Sequence, residues 1–298
     1  MELRQLRHFV TIVRFSSFSL AAEKLNLTQP ALSKSIRTLE QSLGLKLLDR
    51  GPNGVRLTVF GESLMGYAEL ILSLTEEAAD ELDALRGVRS GTLEVGAMAA
   101  VLGSLLPRAV QSFMAARPDM EIIVHEGLND AMLEALYAGK LDVVLTVPPV
   151  DHLHDEYEWT PLRKEPMDIV VGKSHPLADR DGVELADLTP FSWVVPPRPE
   201  PDRISLDALF LSAGLPKPAI AVETTSVTFL AGILLQSDHL SYLTRSNMYT
   251  TYTALNALTT LKMTAPTWDR TVCAVYRRRG TIRPAVLAFI QELQGIFS

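Results

Sequence analysis

The chain of 298 residues is 47% hydrophobic and 21% charged, with a net charge of −7; this excludes a disordered protein and leaves room for two or three domains. No run of about 18 apolar residues is present, so no membrane span is expected, and Arg4, Arg7 and Arg14 interrupt the N-terminus where a signal peptide needs an apolar core. The single cysteine, Cys273, excludes an internal disulfide and fits a reducing cytoplasm; its run Val272-Cys273-Ala274-Val275 reads as a buried strand, not a redox sensor.

Charge is unevenly placed. Residues 1–60 hold nine Lys and Arg against four Asp and Glu, whereas the remainder holds 19 against 31. An acidic chain with a basic head suits DNA contact, which needs positive charge only where phosphates lie.

Residues 17–58 read as two short helices, a tight turn and a basic hairpin, the arrangement of a winged helix-turn-helix. Ala21, Ala22 and Leu25 form an apolar face on the first helix, and Asn26-Leu27-Thr28 supplies the turn. Thr28 is a good N-cap for the second helix, and Pro30 falls in its first turn, where a missing N–H costs nothing. Leu32, Ile36, Leu39 and Leu43 then recur at helical spacing and are expected to face a core. Gln29, Ser33, Lys34, Arg37 and Thr38 occupy the opposite face, which suits base edges and phosphates. The hairpin Lys46 to Thr58 has turn chemistry at Gly51-Pro52-Asn53-Gly54 and an arginine on each arm. The expected DNA-binding set is Thr28, Gln29, Pro30, Ser33, Lys34, Arg37, Arg50 and Arg56.

These residues resemble the N-terminal pattern of the LysR-type transcriptional regulators. The match runs through Leu3-Arg4-Gln5-Leu6-Arg7-His8-Phe9, Ser19 to Leu25, Thr28-Gln29-Pro30-Ala31-Leu32-Ser33, Ile36, Leu39-Glu40, Leu43-Gly44, Leu47-Leu48-Asp49-Arg50, Leu57-Thr58 and Gly61. Two departures stand out: many relatives carry extra basic residues at the wing tip, and Leu48 stands where phenylalanine is usual. The resemblance implies a regulator whose partners are double-stranded operator DNA, a small-molecule effector, RNA polymerase and further copies of itself, as a dimer or a tetramer of paired dimers. It implies no membrane partner and no cofactor.

From Thr58 to about Leu85, Phe60, Leu64, Tyr67, Ala68, Ile71, Leu74, Thr75, Ala78, Leu82 and Leu85 follow steps of three and four, with an acidic outer face. So long a seam pairs well with a second copy of itself. Residues 87–91 read as the breaker and hinge after it.

Beyond Thr92, strand and helix patterns alternate. Strands are expected at Leu93–Ala97, Glu121–His125, Leu141–Thr146, Ile169–Val171, Trp193–Val195, Ala219–Val222 and Leu240–Leu243, with helices at Leu102–Ala115 and Ala131–Ala138. Such alternation argues for parallel α/β sheets, in which ligands bind beyond the C-terminal strand ends. Gly91-Thr92-Leu93, Leu105-Leu106-Pro107, Arg117-Pro118, Gly139-Lys140-Leu141-Asp142 and His175-Pro176-Leu177 resemble the regulatory domain of the same family. That domain is similar to periplasmic solute-binding proteins. The expected organisation is therefore a winged helix-turn-helix at 1–58, a linker helix and hinge at 59–91 and a two-lobed α/β effector domain at 92–298. Lobe one would comprise 92–162 and 267–298, and lobe two 163–266.

Strand ends nominate the cleft residues. In lobe one they are Met98, Ala99, Ala100, Val101, Asn129, Thr146 and Val147; in lobe two they are Val195, Pro196, Thr225, Ser226, Val227 and Thr244. Hydroxyl and amide groups beside free backbone N–H groups suit a carboxylate, a sugar or an aromatic acid. Asp151-His152-Leu153-His154-Asp155-Glu156 has metal-ligating residue types but reads as a solvated loop, and Arg277-Arg278-Arg279 as a solvated strand exit. Two alternatives share such a body: an enzyme acting on a small metabolite and a transport solute-binding protein. The chain lacks G-x-S-x-G, Walker and G-x-G-x-x-G signatures, and a transport protein would carry no basic helix-turn-helix.

Overall fold

The computed structural model describes all residues except 52–53, 86–90, 104–105, 150–155, 245–257, 266, 279–281 and 298. The chain divides into two compact units: Met1–Val88 with Tyr137–Lys140, and Arg89–Leu136 with Leu141–Ser298.

The first unit begins with helices α1 (Leu3–Phe15), α2 (Phe18–Lys24) and α3 (Gln29–Leu43), then a hairpin of β1 (Leu48–Gly51) and β2 (Gly54–Leu57), then helix α4 (Val59–Leu85). Local chemistry sets each boundary. The Ser17 hydroxyl accepts from the Leu20 amide and starts α2; Thr28 Oγ1 accepts from the Ala31 amide and starts α3. Asn26 takes the left-handed conformation (φ 53°) in the turn between them, and Gly44 does so (φ 70°) where α3 ends. Leu32, Ile36 and Leu39 are buried with Leu6, Phe9 and Ile12 of α1, each leucine contributing about 1.5–3 kcal/mol. Leu43 departs from the expected stripe: it is exposed, because α3 ends there and Leu47 and Leu48 fill the core instead.

Glu40 ties the hairpin to α3. Its Oε1 accepts from the amides of Leu47 (2.9 Å) and Leu48 (3.3 Å). Thr58 Oγ1 donates to the Lys46 carbonyl (2.7 Å) and accepts from the Gly61 amide (3.1 Å), opening α4. A Cβ at Gly61 would collide with the Leu47 carbonyl, which explains glycine at that position. The 27 residues of α4 span about 40 Å. Leu64, Met65, Ala68, Ile71 and Leu72 face the core of this unit, whereas Phe60, Tyr67, Leu74 and Leu82 are exposed.

Among the described residues, the second unit is built on a seven-stranded mixed sheet and two two-stranded sheets. Strands β3 (Gly91–Ala97), β4 (Met120–Glu126) and β5 (Val143–Thr146) are parallel, with α5 (Ala99–Leu102), α6 (Leu106–Ala116) and α7 (Asn129–Tyr137) among them. The 16-residue strand β6 (Tyr157–Gly172) follows, then β7 (Asp181–Val183) and β8 (Trp193–Val195). Helix α8 (Pro201–Ser212), β9 (Ile220–Glu223), α9 (Val227–Leu234) and β10 (Ser241–Thr244) come next. The chain ends with β11 (Leu258–Thr260), β12 (Lys262–Met263), β13 (Trp268–Arg277) and a C-terminal helix, Pro284–Phe297. The strand order is β10-β6-β13-β5-β3-β4, with β11 also pairing β6 and with β8 and β9 parallel to each other.

Expectation and structure differ here in three ways. The sheet is not wholly parallel: β6 and β13 run antiparallel along their length, from Trp268 opposite Met167 to Arg277 opposite Tyr157. The helix expected at Leu102–Ala115 begins later, at Leu106 with Pro107 in its first turn, and Leu102 instead closes the short helix α5. Only the end of β6 carries an apolar pattern; Pro161, Arg163, Lys164, Glu165 and Pro166 hide the rest.

Two cores define two lobes. Leu93, Val95, Phe113, Val143, Val272, Ala274 and Phe289 belong to the first, with Phe113 and Phe289 edge to face at 5.4 Å. Met167, Ile169, Trp193, Leu206, Phe210 and Tyr242 belong to the second, with Trp193 and Phe210 at 5.9 Å. The chain passes between the two cores along β6, between Leu162 and Met167, and along β13, between Trp268 and Val272. The second passage lies within a strand, just after the lobe boundary at 266/267 expected from sequence; Pro266 lies outside the described residues. Among the described residues, no helix is long and apolar enough to cross a membrane.

Candidate functional site

Two surfaces carry chemistry. The first is α3. Gln29, Pro30, Lys34, Arg37 and Thr38 are exposed along one side of it, and Thr28 caps it. Ser33 does not join them. It is 8% exposed, with its side of the helix turned toward the core, so the outward face is narrower than the residue types suggest. Arg56 is exposed on β2; the side chain of Arg50 lies outside the described residues, as do Pro52 and Asn53. On the inner side of α3, Ser35 Oγ meets His8 Nδ1 at 2.8 Å, and burial lowers the His8 pKa, with Arg4 and Arg7 acting in the same direction. Neutral imidazole therefore packs under a helix whose outer face is cationic.

The second surface is a cavity of about 710 Å³ in the second unit, lined from both lobes. Of the residues nominated by strand ends, Met98, Ala99, Ala100, Pro196, Thr225, Ser226, Val227 and Thr244 line it. The others do not. Val147 and Val195 are buried in the cores, because alternate residues at a strand end point away from the cleft, and Val101 is on the inward side of helix α5. Asn129 and Thr146 are also buried. Thr146 Oγ1 donates to Asn129 Oδ1 at 2.5 Å, so the two groups satisfy each other. Ser226 Oγ accepts from the Phe229 amide at 3.2 Å and caps α9.

Strand-end reasoning missed the charged part of the lining: Glu126, Glu200, Asp202 and Arg270, together with Tyr242. Arg270 sits in a buried cluster. Its Nη1 donates to Asp202 Oδ2 (2.7 Å) and its Nη2 to Glu165 Oε2 (3.1 Å). Trp268 Nε1 donates to the other Asp202 oxygen at 3.4 Å. Burial alone would lower the Arg270 pKa, but Asp202 and Glu165 outweigh it and hold the guanidinium charged. Glu200 Oε1 accepts from the Asn129 amide at 2.8 Å; burial raises the Glu200 pKa, the Asn129 bond lowers it, and Asp202 and Asp130 raise it further. The Tyr242 hydroxyl is buried without a hydrogen-bond partner among the described residues, and burial pushes its pKa well up. Only the register of β13 against β6 and the seating of α8 bring these groups together, and no local pattern announces either.

The remaining candidates carry less. Cys273 is buried and its thiol is pushed up to about 11, far from the thiolate a redox site needs. His152 and His154 lie outside the described residues. Arg277 Nη1 donates to the carbonyls of Leu136 (2.7 Å) and Leu141 (3.0 Å), and Arg278 pairs with Glu158 at 3.2 Å. Arg277 is thus a structural tie, whereas Arg278 is exposed and its pair lies at the surface; Arg279 is outside the described residues.

Residues 3–62 match the bacterial regulatory helix-turn-helix protein model of the lysR family, and residues 86–297 match the LysR substrate binding domain. The chain is 32% identical over 250 residues to the HTH-type transcriptional regulator BenM of Acinetobacter baylyi, covering 81% of this chain and 79% of that one. It is 31% identical over 189 residues to an uncharacterised HTH-type transcriptional regulator, YvbU, of Bacillus subtilis; that match spans 63% of either protein, less than two thirds. Full-length OxyR from Pseudomonas aeruginosa shares the fold, with a TM-score of 0.75 at 24% identity over 100% of this chain and 94% of that one. The chain belongs to the LysR family of bacterial transcriptional regulators and is a regulator of transcription, not an enzyme.

Proposed function

We propose that this regulator reads operator DNA with the exposed side of α3 and that a small molecule in the cavity between the lobes modulates its DNA binding or promoter activation. The observation that carries the reading is the cavity itself, large enough for a small metabolite and lined from both lobes across the two crossing strands. Gln29, Lys34 and Arg37 supply base and phosphate contacts, with Thr28 and Pro30 placing the helix start and Arg50 and Arg56 serving the wing. The divisions are a winged helix-turn-helix at 1–58, a linker at 59–91 and an effector domain at 92–298. Two copies pair through the exposed apolar side of α4, since a helix-turn-helix reads two half-sites through a symmetric dimer, and dimers pair into tetramers. The protein works in the cytoplasm, where the DNA and RNA polymerase are.

An effector shifts an equilibrium only through its differential affinity for two shapes, so operator DNA must change effector affinity by the same factor. Calorimetric titration of an effector with and without operator tests this. Equal affinity in both would refute allosteric coupling, and a gel shift insensitive to salt would refute phosphate contact by α3.

A further inference from the structure

We propose that the cavity is built for a cationic effector, a primary ammonium compound with an apolar body, whose ammonium group sits against Glu200 and the Tyr242 hydroxyl. The proposal rests on the reading of this cavity as the effector site and adds the chemical class of what it holds.

The first observation is the charge of the lining. Among the described residues, Glu126, Glu200 and Asp202 face one cation, Arg270. That cation is committed: its donors go to Asp202 and to Glu165, both buried with it. A carboxylate ligand would have to compete with two carboxylates already in place, inside a site where like charges repel strongly. The start of α9 offers an anion about half an elementary charge, and Ser226 Oγ already occupies the Phe229 amide there. With Asp202 paired to Arg270, that is still small beside the two remaining carboxylates, Glu126 and Glu200.

The second observation is independent of charge. Tyr242 lines the same cavity and is 5% exposed, yet its hydroxyl has no hydrogen-bond partner among the described residues. A buried hydroxyl without a partner is costly, and a ligand N–H donating to its oxygen removes that cost. Glu200 is likewise only half used: Oε1 accepts from Asn129, and a bound ammonium would donate to the remaining acceptor capacity of this carboxylate. Met98, Ala99, Ala100 and Leu230 of the same lining are apolar and would take the hydrocarbon body.

The test uses the full chain and calorimetric titration with matched probes: hexylammonium, 2-phenylethylammonium, hexanoate, 3-phenylpropionate and 2-phenylethanol. At least one ammonium probe should bind, and the matched carboxylates should bind at least about tenfold more weakly, the scale of one charge-assisted hydrogen bond. Glu200→Gln keeps an acceptor for the Asn129 amide but removes the charge, and should weaken the ammonium probe by about tenfold or more. Tyr242→Phe and Glu126→Gln, the latter on an exposed residue, should each weaken it without lowering the melting temperature. Tighter binding of a carboxylate, failure of every ammonium probe, or indifference to all three variants would overturn the proposal. Ala100→Trp separates the two readings. If a carboxylate binds and Ala100→Trp abolishes its binding, the cavity is the effector site and the charge assignment is wrong; if Ala100→Trp leaves every binding probe untouched, the cavity reading itself fails.

Discussion

Glu200 and Asn129 join the two lobes of the second unit: Oε1 of the Glu200 carboxylate, just ahead of α8, accepts from the backbone amide of Asn129, the first residue of α7, at 2.8 Å. Both residues are buried, so the bond is shielded from water. Glu200→Ala leaves the Asn129 amide without its acceptor and should cost about 1–3 kcal/mol. Glu200→Gln preserves an acceptor and should cost less. Thermal melting of the two variants decides it; equal melting temperatures would remove this bond from the account of how the lobes are held.

Recognition is expected to divide by residue type. Gln29→Ala should cost about 1–3 kcal/mol on the cognate operator and relax discrimination against altered sites. Lys34→Ala should instead weaken cognate and random DNA alike and flatten the salt dependence by about one phosphate contact. Fluorescence anisotropy on both duplexes at graded salt separates the two; an unchanged cognate-to-random ratio for Gln29→Ala would exclude base readout by that residue.

The exposed side of α4 makes a separate prediction. Tyr67 and Leu74 lie two helical turns apart and are 56% and 37% exposed, whereas Ile71, between them, packs on the core of the first unit. Tyr67→Glu with Leu74→Glu places unpaired charges in the proposed seam, which is costly once buried. Light scattering should then report a smaller particle with the fold retained. Ile71→Glu should lower the melting temperature instead, because it strikes the core.

His8 gives stability a pH dependence. Burial lowers its pKa from 6.5, with Arg4 and Arg7 adding to the effect. Below about pH 6.5 the unfolded chain therefore binds a proton that the folded chain resists, and stability falls as pH falls. The loss of melting temperature between about pH 7.5 and 5.5 should be smaller in His8→Gln than in wild type. Identical losses would assign the acid sensitivity elsewhere, His175 being the other described histidine whose pKa burial lowers.

The sequence by itself determined the helix-turn-helix, because every signal there is local. Thr28 caps, Asn26 turns, Pro30 sits where its missing amide is harmless, and Leu32, Ile36 and Leu39 share a face within one helix. The segments Met98–Ala100 and Thr225–Val227 were legible for the same reason, since each spans a helix start. Tertiary structure alone decided that Ser33 is buried, that Leu43 is exposed, and that β6 extends back through Pro161 and Pro166. It also decided the charge of the cavity. Glu126, Glu200, Asp202 and Arg270 come from three separate strands and helices, and their meeting depends on which rung of β13 faces which rung of β6. A one-residue change of register would turn Arg270 to the other face of the sheet. Such registers are set by packing across the whole lobe, which no short window of sequence contains.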